Sequence, residues 1–215
     1  DTFIVKLNSS GEFVWAKKLG GSEDDYGYSI ATDTSGNVYA TGSFYGSVDF
    51  DPGSGSVSLT SVDQNDIYVS KLNSSGNFIW AKAFGGSSFD EGLSIAIDNQ
   101  GNIVTSGYFF GTVDFNPGSG TSNLSSNGSM DFFISKLDSS GDFLWANRFG
   151  GSRNDYANGV SVHSNGDVYT TGVFTGTVDF DSGADTINLV SAGNWDVFIL
   201  KTASTGDYLW AKGIG

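Results

Sequence analysis

Apolar residues alternate along most of this chain: Phe3, Val5 and Leu7 interleave with Ile4 and Lys6, and Phe13 and Trp15 with Val14 and Ala16. A period of two marks extended strands, whose successive side chains point to opposite faces. Asn8-Ser9-Ser10-Gly11 parts the two runs and is turn-forming. After Gly20-Gly21 and a polar loop, Tyr28 to Thr32 reads as a third strand, Asp33-Thr34-Ser35-Gly36 as a turn and Val38 to Phe44 as a fourth strand. Both faces of these strands carry apolar side chains, as in a sheet covered on each side. Gly46 to Ser61 reads as an additional hairpin, with Val48-Asp49-Phe50 and Val57 to Ser61 flanking a turn at Asp51-Pro52-Gly53. No stretch has helical spacing.

At Asp66 the pattern starts again, and again at Asp131 and Asp196, with a constant step of 65 residues; 23 positions are identical in all three full copies. A fixed period means that each unit buries its apolar faces against its neighbours. Four antiparallel strands between like neighbours make the blade of an all-β propeller, here with an extra hairpin. Counted from the double glycine, whole blades span 21–85, 86–150 and 151–215, and residues 1–20 form the outer strand pair of a preceding blade. Closed rings use about four to eight blades. This chain alone is therefore not expected to close one; further blades come from a longer parent chain or from another copy. Because Asp1 opens mid-pattern, the sequence reads as one continuous propeller fragment, and its lack of a targeting signal is uninformative.

Charge narrows the partners. The 24 acidic residues outnumber 10 basic ones, giving a net charge of −14, which disfavours nucleic acid and anionic lipid. No apolar run has membrane-spanning length, so membrane insertion is not expected. Without cysteine there is no disulfide framework.

The phrase Asp-x-Phe-x-x-Lys-Leu-x-Ser-Ser-Gly-x-Phe-x-Trp-Ala, followed by Gly-Gly-Ser and an Asp, is carried best by Asp131 to Ser152 and nearly as well by Asp66 to Asp90. It resembles the bacterial seven-bladed β-propeller (SBBP) repeat family. The resemblance implies a large secreted or surface protein of a bacterium, hence an extracellular or cell-surface location. Thr205-Gly206-Asp207-Tyr208-Leu209-Trp210 also resembles the tryptophan-docking motif of quinoprotein dehydrogenase propellers.

Trp15, Trp80, Trp145 and Trp210 share one mid-strand repeat position, where an indole wedges between adjacent blades; a sugar-stacking platform is the alternative. Trp195 stands where Asn65 and Met130 stand in the other copies and is the candidate exposed ligand contact. Asp25, Asp90 and Asp155 recur after Gly-Gly-Ser, where a carboxylate accepting backbone N–H bonds fixes the crossing between blades. Lys6, Lys71, Lys136 and Lys201 recur as well and are expected to pair with carboxylates, their stems on the sheet.

Asp49-x-Asp51-x-Gly53, Asp114-x-Asn116-x-Gly118 and Asp179-x-Asp181-x-Gly183-x-Asp185 space oxygen donors as calcium loops do. These residues are the metal candidates for calcium, and no other cofactor is expected; the alternative is Asx turns on an edge hairpin. Loops of the Asp25 type and hairpins of the Asp49 type leave a blade on the same face, predicting one acidic rim. His163, the single histidine, replaces Asp33 and Asp98 in a turn.

A catalytic site breaks repeat symmetry, because chemistry needs unlike groups converging on one point. The polar positions here mostly repeat in step, and no histidine cluster, cysteine nucleophile or phosphate-cradling loop is present. The expected function is a non-enzymatic extracellular scaffold or adhesion module whose blade rim meets a protein or a glycan. The alternatives are a fragment of a propeller lyase, hydrolase or quinoprotein-like dehydrogenase, and a filament-building repeat protein.

Overall fold

The structure, a computed structural model, describes residues 1–215. It is built of strands and turns. β1 (Thr2–Leu7) pairs with β2 (Phe13–Leu19) to form a half blade. Next come β3 (Asp25–Thr32), β4 (Val38–Phe44), the short pair β5 (Ser47–Asp49) and β6 (Ser58–Thr60), then β7 (Asp66–Leu72) and β8 (Phe78–Phe84). The following copy contains β9 (Glu91–Ile97), β10 (Ile103–Asp114), β11 (Asn123–Leu137) and β12 (Phe143–Phe149). The last contains β13 (Tyr156–Val162), β14 (Val168–Phe174), β15 (Thr177–Asp179), β16 (Asn188–Val190), β17 (Asp196–Thr202) and β18 (Tyr208–Ile214). Each copy forms one antiparallel four-stranded sheet, in the orders β3-β4-β7-β8, β9-β10-β11-β12 and β13-β14-β17-β18. The first strands β3, β9 and β13 pack in a row against one another, as the inner strands of neighbouring blades do. The sheets do not close into a ring.

Strand alternation builds the core at the seams. In β11, Phe132 and Ile134 face one seam with Phe149, Val168, Phe180 and Phe198 around them. Phe133, pointing the other way, joins Ile67, Val69, Phe84 and Phe115 in the preceding seam. Ile4 and Leu19 of the half blade pack likewise on Phe44, Phe50 and Tyr68. Three apolar clusters thus lie between sheets rather than within them. At about 25 cal/mol per Å² of apolar surface removed from water, this burial is what joins the units.

Two features differ from expectation. The first strand of a blade begins at Asp25 rather than Tyr28, because a β-bulge is inserted. Gly27 faces Gly42 and Ser29 faces Thr41, which leaves Tyr28 without a partner; Leu93 and Asn158 are bulged in the same way. In addition, the hairpin is not a free edge. Asp49, Asp114 and Asp179 each bridge back to Gly20, Gly85 and Gly150, at the end of the preceding sheet. Val48 and Phe50, with their counterparts Val113, Phe115, Val178 and Phe180, plug the seam beneath that bridge.

Candidate functional site

Three of the four repeated tryptophans sit at the seams. Trp15, Trp80 and Trp145 each donate an indole N–H to a turn carbonyl of the following blade, that of Ser74, Ser139 and Ser204, at 3.3, 3.4 and 3.1 Å. Each ring lies on the turn glycine there, Gly76, Gly141 or Gly206. Those glycines have φ of +77°, +83° and +91°, a conformation that favours glycine, and a Cβ would crowd the indole. Trp210 packs edge-on to Tyr169 of its own sheet.

The repeated lysines converge on the same carbonyls: Lys6, Lys71 and Lys136 Nζ donate to Ser74, Ser139 and Ser204 at 2.7, 3.0 and 3.4 Å. Carboxylate pairing occurs for two of the four, Lys136 with buried Asp98 at 2.9 Å and Lys201 with Asp167 at 2.7 Å. Burial opposes ionisation of Asp98, but the bonds from Lys136 and Asn102 outweigh it and hold its carboxyl below the usual range. Lys71 instead lies over the Tyr39 ring. His163 occupies its turn, with Nδ1 2.8 Å from Asn165 Oδ1.

Asp25, Asp90 and Asp155 each accept the N–H of the second glycine of the pair, Gly21, Gly86 or Gly151, at 2.9 Å. Asp90 and Asp155 also accept from Phe110 and Thr175. All three are buried, which corrects the acidic-rim expectation. Loop and hairpin do share a face, but these carboxylates point into the seam. Desolvation raises Asp90 to about 7 and Asp155 to about 6 against the bonds that favour ionisation.

The metal candidates take part in local turns. Asp49 Oδ1 accepts from Asp51 and Val57, Asp114 Oδ1 from Asn116 and Ser122, and Asp179 Oδ1 from Asp181 and Ile187. Asp51, Asn116 and Asp181 each accept from the glycine two residues on. Asp185 lies exposed on its loop. Nowhere do three acidic or histidine side chains gather at metal-binding distance. The arrangement is that of nested Asx turns.

Where the copies disagree, a different site emerges. On the rim shared by hairpin and first-strand loop, Tyr156 stacks on Trp195 with centroids 5.5 Å apart and meets Tyr108 edge-on at 4.9 Å. Strand pairing places Glu91 opposite Tyr108, and Tyr26 stacks on Tyr28 one blade earlier. The charge of Glu91 is felt at Tyr26, Tyr28, Tyr108 and Tyr156; burial first, then Glu91, raises Tyr28 and Tyr108. An aromatic strip with a carboxylate at its middle therefore runs across three blades. Of its members, sequence reasoning singled out Trp195 alone. The available signal was the mismatch itself: repeat positions read Tyr26, Glu91, Tyr156, then Ser43, Tyr108, Val173, then Asn65, Met130, Trp195.

Comparison with known proteins agrees with the architecture. Residues 14–43 match the family described as SBBP, beta-propeller repeat. The chain is similar to the "Regulatory protein FlaEY" of Caulobacter vibrioides, 26% identical over 144 residues, which cover 67% of this chain and 15% of that protein. It is also similar to the "Uncharacterized WD repeat-containing protein L264" of Acanthamoeba polyphaga mimivirus, 24% identical over 162 residues, covering 65% of this chain and 12% of that protein. The chain thus matches a small part of either relative.

Proposed function

We propose that this chain, which carries the β-propeller repeat of the SBBP family, is a non-enzymatic interaction module of an extracellular protein, meeting a protein or glycan partner at its aromatic rim. One observation carries the reading. Polar groups that repeat from copy to copy are engaged in turns and seams, whereas one set of departures from the repeat meets on the rim as aromatic rings around Glu91. Rigid aromatics on a scaffold are effective contact groups, because they bury large areas at small entropic cost. The descriptions "regulatory protein" and "WD repeat-containing protein" borne by the two relatives name no reaction, which agrees with an interaction role. The extracellular setting rests on the family resemblance.

The test compares the unaltered chain with a Tyr156→Ala, Trp195→Ala double variant on arrays of purified extracellular proteins and glycans. Binding by the unaltered chain that disappears in the variant is the expected result. Binding that survives in the variant, or no binding by either, overturns the reading.

A further inference from the structure

Beside Trp195 a cleft of about 390 Å³ opens on the rim, lined also by Ser152, Arg153, Asn154, Thr175 and Asn194. This lies in the lower part of the roughly 300–1,000 Å³ range of small-ligand sites. Trp195 is 48% exposed although it is one of the largest apolar side chains in the molecule. Tyr156 stacks on its indole, and Tyr108 buttresses Tyr156 in turn, so the ring is held as a flat wall rather than left to swing.

Arg153 is the second member. The ion pairs of the chain are Lys18–Asp1, Lys136–Asp98, Arg148–Asp131 and Lys201–Asp167; Arg153 takes part in none of them. Several lysines are also without a carboxylate, but Arg153 is the cation that stands in this cleft beside Trp195. Asn154 is fixed beside it: its Oδ1 accepts from the Met130 amide at 3.3 Å and its carbonyl accepts from Thr175 Oγ1 at 3.1 Å. The Asn154 side-chain amide also donates toward the Tyr156 hydroxyl, which leaves the Ser152 hydroxyl to a ligand. This set occurs once. Where the third copy has Arg153, Asn154 and Trp195, the first has Glu23, Asp24 and Asn65 and the second Ser88, Phe89 and Met130.

A half-exposed indole beside hydroxyl and amide groups suits a pyranose, whose C–H face stacks on an aromatic ring while its hydroxyls reach polar neighbours. A guanidinium adds a fork that matches a carboxylate in two parallel bonds. We infer that this cleft binds a uronic-acid residue of an acidic glycan, its ring laid on Trp195 and its carboxylate paired with Arg153. This rests on the interaction reading above and names the ligand class for one end of that rim.

Isothermal titration of the 215-residue chain with tetrasaccharides of galacturonate, mannuronate and glucuronate, beside their carboxyl-reduced neutral counterparts, tests it in chelator-containing buffer. At least one acidic tetrasaccharide should bind tenfold or more tightly than its neutral counterpart. Arg153→Ala should abolish that preference, Arg153→Lys should restore part of it, and Trp195→Ala should remove binding to both forms. Both side chains are exposed, so unchanged melting temperatures should show that the variants are folded. Equal affinity for acidic and neutral sugars, an Arg153→Ala variant that keeps the preference, or no sugar binding overturns the inference. A rim that binds proteins and no sugar would overturn it while leaving the interaction reading intact.

Discussion

Arg148 Nη1 lies 2.9 Å from Oδ2 of buried Asp131, and this guanidinium supplies positive charge to a seam where Asp155 also feels the Asp131 carboxylate. The preceding seam holds Asp66 and Asp90 in the same relation, but Ala83 stands at the position of Arg148. Asp66 Oδ1 is buried there without a hydrogen-bond partner, and Oδ2 accepts only the Val62 amide. Burial raises Asp66 to about 7, with the charge of Asp63 adding to it.

Stability should therefore fall between pH 5 and pH 8. Folded Asp66 and Asp90, both near 7, hold protons that the unfolded chain, with carboxyls near 3.9, gives up. Their contribution is full below about pH 4 and lost as pH rises through 7. Asp33, Asp49 and Asp98, held low, act in the opposite sense only in stronger acid. Calorimetry should give a higher melting temperature at pH 5 than at pH 8, and Ala83→Arg should flatten the difference by giving Asp66 the cation that Asp131 has. A pH-independent melting temperature in the unaltered chain would sink this account.

Lys136 and Asp98 form a buried pair inside the middle blade. Removing one partner strands the other charge, so Lys136→Met should cost about 3–5 kcal/mol. The double change Lys136→Met with Asp98→Asn should recover much of that loss. Urea unfolding of the single and double variants measures both, and equal stability of the two would contradict the pairing.

Trp80 and Trp210 share a repeat position but differ in surroundings, since only Trp80 rests on a turn of the following blade. Trp80→Ala should cost about 3 kcal/mol, as for loss of a packed aromatic ring. Trp210→Ala should cost clearly less. Equal losses in thermal or urea melts would show that the seam contact is not what stabilises the ring.

Gly107 admits no side chain, because a Cβ would fall within van der Waals contact of the Glu91 carbonyl and the Phe133 ring. Gly42 and Gly172 are confined in the same way by Tyr26 and Tyr156. Gly107→Ala should distort the adjacent bulge, lower the melting temperature and disturb the Glu91–Tyr108 facing pair. Gly11→Ala, in open space, loses only the preference of its φ of +80° for glycine. A Gly107→Ala protein as stable as Gly11→Ala would refute the close approach.

The repeat, the strand pairs and the seam tryptophans were legible because they depend on local alternation and a fixed step. The bulge at Tyr28, Leu93 and Asn158 was not, since one unpaired residue inside an apolar run leaves the pattern continuous. Nor was the bridge from Asp114 back to Gly85, a pairing with the preceding unit that nothing in the hairpin itself encodes. That Asp90 accepts backbone amides follows from its recurrence after Gly-Gly-Ser, and it does so; its burial in the seam, away from the rim, was not legible, because a polar residue bordering a loop reads as surface. The aromatic strip was hidden because its members are separated along the chain and unite only through register. Comparison of the copies for difference rather than likeness would have pointed to it.

The hairpin of each copy clasps the copy before it, so the unit of assembly is shifted from the unit of sequence. A 65-residue cassette cut at the double glycine brings with it the clasp for its upstream neighbour and leaves its own downstream side to be fastened by the next. Cassettes of this kind can be added, removed or reordered at the expense of one joint, and the face they display can be rewritten position by position while the joints stay constant.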